Sequence, residues 1–396
     1  MTEKLFYRDS CIREFDAHVL SCGKKGGFYQ VVLDRTAFFP EGGGQSADTG
    51  AIFFEGGSVK VLDVQETEGT VVHYTDGEVP QGAAVKGELD FEERFSKMQQ
   101  HTGEHIISGL VNQYFGYRNV GFHLGKEAVT MDYDGTLTED DLRKIEAEAN
   151  HAVAENIPVK VLYPTREELE SITYRSKIEI EGQIRIVQIP GYDSCACCAP
   201  HVKETGSIGL IKITGAIHYK GGMRVSMLCG FRALADYNRK EANVQKISTL
   251  LSVKQEDTAE AVNRLLEEIS GCKEKIKRLQ LQYVEGCLEA AGREQDQKKD
   301  TALLLFEDEL DPAAMRNFVN GAMKLTEGIC GAFVGNDRKG YRYVLGTSGR
   351  DILAAGRELN QVFAGKGGGR PPMIQGSLTG NKEDIEKFIR CWGKVE

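Results

Sequence analysis

His101 and His105 stand four residues apart in the pentapeptide HTGEH, and Cys197 and His201 repeat that spacing in CCAPH. On a helix, side chains at i and i+4 share a face with Cβ atoms about 5–6 Å apart, close enough to hold one ion. One such pair is weak evidence. A second pair, about ninety residues on, makes a set of three imidazoles and a thiolate. Nitrogen and sulfur donors suit Zn²⁺ far better than the oxygen-seeking Mg²⁺ or Ca²⁺. A zinc finger keeps its ligands local, whereas this set ties a helix to a distant, turn-rich stretch broken by Pro200. Cys195 and Cys198 lie in the same stretch, and either can replace Cys197 as ligand, but only Cys197 keeps the four-residue spacing.

Glu104 admits a second chemistry. His-x-x-Glu-His is the motif of a metallopeptidase class in which the glutamate is the general base. That class takes a downstream carboxylate as third ligand, and here the further ligands are a cysteine and a histidine. Thr102 and Glu104 are the polar groups inside the motif; Glu104 either acts as a general base or faces water on the helix surface. Four protein ligands close a tetrahedral site, so catalysis requires a weak ligand or an expanded coordination; otherwise the metal only orders its surroundings.

The elements that must position these residues change character along the chain. Residues 1–90 read as short strands between glycine turns, including GAIFF, SVKVLDVQ, TVVHYT and AVKGELD, which predicts a small β-barrel with PEGGGQ (40–45) as an inter-strand loop. That loop is no P-loop, because no Gly-Lys-Ser/Thr follows. Residues 91–235 predict an α+β core. Phe91, Phe95, Met98, Ile106 and Leu110 fall at helical spacing up to Gly116, and a second helix opens at Thr138 with an acidic first turn. Residues 236–296 are rich in Glu, Lys, Leu and Gln and predict a helical, coiled-coil connector. Its seam runs through Val262, Leu265, Ile269, Cys272, Ile276, Leu279 and Tyr283, interrupted at Gly271 and Gly286. Residues 297–396 return to α/β and contain GKGGGRP, where Lys366 and Arg370 flank exposed backbone amides suited to phosphate. The fold class is therefore multidomain α+β.

With 396 residues, 41% hydrophobic and 27% charged, the chain predicts two or three compact units. It has no run of 18 apolar residues for a membrane span. Ten cysteines spread over a chain without a secretory signal read as reduced thiols, hence a cytoplasmic location. A net charge of −10 argues against indiscriminate nucleic-acid binding, but residues 331–396 carry 11 Lys+Arg against 7 Asp+Glu, a local excess of 4.

Four segments in order, RTAFFPEGGGQSADTG, HTGEH, CCAPHVKETGSIG and GKGGGRPPMIQG, resemble the editing half of alanyl-tRNA synthetase and the freestanding AlaX editing proteins. The last is similar to the C-terminal DHHA1 domain, which implies the long AlaX form with no aminoacylation domain. The resemblance implies a deacylase acting in trans on tRNA(Ala) mischarged with serine or glycine. It carries one Zn²⁺ per chain onto His101, His105, Cys197 and His201. It also points to His123, in GFHLG, as a substrate contact, to a structural role for the PEGGGQ loop with Gln45 as its residue most able to reach a substrate, to Lys366 and Arg370 as tRNA contacts, and to a homodimer through the connector or the C-terminal domain. Where the synthetases have Cys-Gly-Gly-Thr-His this chain has Cys-Cys-Ala-Pro-His; the ligands survive, but the loop backbone must differ. The alternative from another class is a non-catalytic, zinc-stabilised tRNA-binding protein.

Overall fold

Alternation of apolar and polar residues closes the N-terminal strands on themselves. In this computed structural model, which describes residues 1–125, 128–176, 184–294 and 300–392, six antiparallel strands form the barrel. They are β1 (Glu14–Lys25), β2 (Phe28–Leu33), β3 (Gly50–Phe54), β4 (Gly57–Thr67), β5 (Thr70–Thr75) and β6 (Ala84–Leu89), in the order β1-β2-β5-β4-β3-β6. Phe15, Val31, Leu33, Ile52, Val61, Val71 and Val85 fill the interior. Strand β1 is absent from the strands read in the sequence, because only Phe15, Ala17 and Val19 alternate before the polar run SCGKK. His73 of β5 is a polar exception inside the barrel, with Nδ1 3.0 Å from Val31 O and Nε2 2.8 Å from Thr36 Oγ1.

Asp90 then caps helix α1 (Phe91–Phe115) by accepting from Glu93 N, and Gly116, at φ 71°, ends it. The span Lys97–Val111 is buried without interruption, although most of it is polar; such a helix must find partners for its side chains inside the protein. It lies among β7 (Asn119–Leu124), β8 (Val129–Tyr133) and α2 (Glu139–Glu155), the last opened by a Thr138–Asp141 capping box. Strands β9 (Lys160–Leu162), β10 (Ile186–Ile189) and β11 (Asp193–Ala196) make one antiparallel sheet. Strands β12 (Ile211–Tyr219) and β13 (Gly222–Cys229) join β8 and β7 in a second, ordered β12-β13-β8-β7. The α+β core is as expected, and it shares one compact unit, residues 1–244, with the barrel.

Helix α3 (Gly230–Leu251) runs across the boundary into the second unit, residues 245–396. There α4 (Thr258–Glu294) continues for 37 residues straight through Gly271 and Gly286. The expected interruption does not occur: each glycine costs about 1 kcal/mol relative to alanine, too little to break a helix of this length. Val262, Leu265, Ile269, Ile276, Leu279 and Tyr283 lie 39–55% exposed along it, while Val284 is buried with Met315, Phe318 and Val319. The C-terminal sheet, β14-β15-β16-β18-β17, comprises β14 (Leu303–Glu307), β15 (Cys330–Asn336), β16 (Gly340–Gly346), β17 (Lys366–Arg370) and β18 (Met373–Leu378). Only β14 and β15 are parallel, so this unit is α+β in character rather than the expected α/β. KGGGR (Lys366–Arg370) is an exposed edge strand. The boundary expected at 296/297 lies outside the described residues. Among those described, no helix is long and apolar enough to cross a membrane.

Candidate metal centre

Helix α1 presents His101 and His105 one turn apart, and the loop after β11 brings Cys197 and His201 to the same point. One ligand atom from each of the four lies within 4.8 Å of every other. Cys197 Sγ is 3.5 Å from His101 Nε2 and 3.4 Å from His201 Nε2. With Zn–N near 2.05 Å and Zn–S near 2.3 Å, a tetrahedral ion places its nitrogen and sulfur ligands about 3.5 Å apart. These two edges match that geometry.

The decisive feature is where the other imidazole nitrogens go. His101 Nδ1 lies 3.0 Å from Gln45 Oε1, which only accepts. His105 Nδ1 lies 2.9 Å from Asp193 Oδ2, also an acceptor. His201 Nδ1 lies 3.1 Å from Thr102 Oγ1; the Thr102 hydroxyl hydrogen goes to Met98 O at 2.8 Å, so towards His201 this oxygen accepts. His101 and His201 thus carry their proton on Nδ1 and expose a lone pair at Nε2, and the Asp193 carboxylate beside His105 Nδ1 favours the same tautomer there, although the two atoms do not align as a hydrogen bond. The single hydrogen of the Cys197 thiol can satisfy only one of the three converging lone pairs, whereas a cation between them would satisfy all four ligand atoms. Burial, then the neighbouring His105 and His101, holds His201 far below its ordinary pKa, so it stays neutral. Burial, and then Cys198, pushes the Cys197 thiol up, so a thiolate there needs a positive partner.

Further interactions hold the set in place. Arg94, fully buried, donates Nε to Asp48 at 2.9 Å and Nη1 to Ser10 O at 3.0 Å, while Lys97 Nζ donates to Ala47 O at 2.6 Å. Together they fasten the loop that carries Gln45 to α1. Gly44 in that loop, at φ +80°, lets Phe122 approach: a Cβ there would sit 2.7 Å from the Phe122 ring and 3.0 Å from its carbonyl oxygen. Gly103, inside HTGEH, lets α1 press on β13, since its Cβ would meet Cys229 Sγ at 2.4 Å. On the other side Arg175 grips Asp193 through Nε at 2.8 Å and Nη2 at 2.9 Å. Burial alone would raise the Asp193 carboxyl, but His105 and Arg175 outweigh it and hold the group below the usual range.

His101, His105 and Cys197 line a cavity of about 630 Å³ with Gly43, Gly44, Phe122 and Arg185. Of the residues expected beside the metal, Gln45 and Thr102 are there and each orients an imidazole, while the buried Gln45 Nε2 has no hydrogen-bond partner among the described residues. Glu104 is buried, not water-facing. It accepts from Ser108 Oγ at 2.7 Å and Asn119 Nδ2 at 2.6 Å, and Oε2 stands 4.0 Å from His105 Nε2. It is not among the cavity-lining residues. His123 is exposed on β7, and it is the adjacent Phe122, on the other face of that strand, that packs on His101 with ring centroids 4.8 Å apart. Cys195 is buried and Cys198 half-buried, both along the cavity. Lys366 and Arg370 belong to the second unit. Asp193, Arg175 and Arg185 were missed by sequence reasoning; DS before CACC carried no spacing signal.

Comparison with known proteins follows the same residues. Residues 12–93, the barrel and the Gln45 loop, match the family of class II (A) tRNA synthetases, and residues 184–247, with Cys197 and His201, match the threonyl and alanyl tRNA synthetase second additional domain. The alanyl-tRNA editing protein AlaX-L of Pyrococcus horikoshii is 27% identical over 97% of this chain and 96% of its own length. The chain is thus similar, end to end, to an alanyl-tRNA editing protein of the AlaX type. Alanine–tRNA ligases of Pyrobaculum neutrophilum and Methanopyrus kandleri are each 32% identical, over 98% and 95% of this chain. The chain spans less than half of those ligases, 44% and 42% of their lengths.

Proposed function

We propose that this AlaX-type chain is a trans-acting aminoacyl-tRNA deacylase that hydrolyses the ester of tRNA(Ala) mischarged with serine or glycine, with one zinc ion held by His101, His105, Cys197 and His201. The observation that carries the reading is the convergence of three imidazoles and one thiol, of which His101, His105 and Cys197 line a cavity roomy enough for an aminoacyl ester. End-to-end similarity to an alanyl-tRNA editing protein supports it. A bound divalent metal supplies Lewis-acid polarisation of an ester carbonyl. The chain's own residues keep the ligands neutral and oriented, shape the cavity and exclude water from its apolar wall. Lys366 and Arg370, exposed on β17, are proposed as contacts to the tRNA backbone.

One observation favours the second reading, a zinc-stabilised tRNA-binding protein without turnover: the four protein ligands by themselves complete a tetrahedron. Peptidase chemistry has no matching support, since Glu104 is not among the cavity-lining residues and the remaining ligands are not carboxylates. The deciding experiment incubates the protein with seryl-, glycyl- and alanyl-tRNA(Ala) and measures metal on the same sample. Serine release in multiple turnovers, lost together with zinc in His101→Ala and Cys197→Ala, supports the deacylase. Undiminished hydrolysis by metal-free protein rejects the role given to the metal, and retention of tRNA without hydrolysis favours the binding protein.

A further inference from the structure

We propose that Tyr7, Tyr163 and Arg185 form a subsite for the terminal nucleotide of the substrate, its adenine against the tyrosine rings and its 5′-phosphate on Arg185; this rests on the deacylase reading above. Among the described residues that line the cavity, Arg185 is the one side chain with a permanent charge, and no Asp, Glu or Lys joins it. A cavity with metal ligands on one wall and a lone cation among aromatic rings matches an ester carried by a nucleoside phosphate. It matches a free amino acid less well, because such a ligand brings no base for the Tyr7 and Tyr163 rings.

Arg185 is built in. It precedes β10 and donates Nη1 to Cys197 O at 2.7 Å and to Ala199 O at 3.0 Å, which pins it to the loop that bears the metal ligands. Its guanidinium sits 5.4 Å from the centre of the Tyr7 ring, and its enclosed Nε has no hydrogen-bond partner among the described residues. A cation fixed this way, with donor capacity left over, recognises phosphate by charge-assisted hydrogen bonds. Tyr7 is half-buried against Phe6 and Phe39, whereas Tyr163 is 43% exposed. A rigid ring near the cation and a more open one along the same cavity offer the faces on which a base stacks. The nucleotide would therefore be held by residues far apart in the sequence, 7, 163 and 185, that the fold brings to one wall.

The test uses the full chain with its metal and two probes, 5′-AMP and adenosine, as competitive inhibitors of seryl-tRNA(Ala) hydrolysis. AMP is expected to inhibit at about tenfold lower concentration, the size of one partly exposed charge-assisted contact. Arg185→Met should shrink that ratio to about two with zinc retained. Tyr7→Leu should raise both inhibition constants in parallel and leave the ratio alone. Equal inhibition by AMP and adenosine in the wild type, or an unchanged ratio in zinc-loaded Arg185→Met, overturns the subsite. Should Arg185→Met lose zinc with its two carbonyl contacts, the wild-type ratio and its decline with added salt decide. Failure of the wild type to release serine at all rejects the deacylase reading instead, and calorimetric binding of AMP against adenosine then tests the subsite directly.

Discussion

Replacing Asp193 by asparagine keeps the volume beside His105 but turns an acceptor-only group into one that also donates, so the proton on Nδ1 is no longer enforced. It also strips Arg175 of its partner. Asp193→Asn should therefore lower zinc affinity about 10- to 100-fold, measured by competition with a chromogenic chelator, while far-UV circular dichroism stays that of the wild type. An unchanged affinity would mean that His105 is held by packing alone. At this scale the four ligands were legible because a spacing of four is a local signal. Their orienters were not. Gln45, Asp193 and Thr102 meet the imidazoles only through tertiary contact, and Thr102 and Glu104, read as polar groups free to act, are hydrogen-bonded inside the protein. His123 is exposed on its strand, and because a strand alternates faces it is Phe122, one residue of register away, that meets His101.

At the scale of elements, α1 shows why a polar sequence does not guarantee a surface. Its bounds were legible, from Asp90 to Gly116, yet the amphipathic pattern could not reveal that Lys97 to Val111 is enclosed on every side. The loop above it depends on Gly44. Gly44→Ala places a Cβ against Phe122 at a backbone φ that alanine tolerates poorly. We expect a loss of about 2 kcal/mol or more in urea unfolding, together with weaker zinc binding as Gln45 is displaced from His101; retention of both would show that the loop can move aside. In the barrel, burial pushes His73 down to about 4. Above about pH 6.5 it is neutral in both states. Below that the unfolded chain takes up a proton that the folded barrel refuses until about pH 4, so stability falls across this window by about 3 kcal/mol and levels off beneath it. Unfolding midpoints at pH 7.5, 5.5 and 4 should show the slope in wild type and a flatter one in His73→Gln.

At the scale of the molecule, the two compact units divide the chain's charge unequally, and the net value of −10 conceals a C-terminal excess of cations. Lys366 and Arg370 stand on an edge strand with every residue exposed. If they touch the tRNA backbone, Lys366→Ala combined with Arg370→Ala lowers affinity and reduces the log–log salt slope by about 2, measured by filter binding of tRNA(Ala) from 50 to about 300 mM salt; an unaltered slope assigns them to the sheet alone. The succession of barrel, α+β core, connector and C-terminal sheet was readable from changes in periodicity. That barrel and core share one unit was not, because it depends on contacts such as Arg94 with Asp48, whose residue types announce only two surface charges.

The ligands of the centre also have a topological meaning. His101 and His201 are a hundred residues apart in the chain, and α2, β7–β11 and their connections lie between them. An ion bound to both closes that length into a ring, and closing a ring of this size removes about 4–5 kcal/mol of disorder from the unfolded chain on the loop-entropy model. A metal bound there would be as much a fastener of the polypeptide as a reagent: the same equilibrium that loads the ion would draw the cavity's walls together.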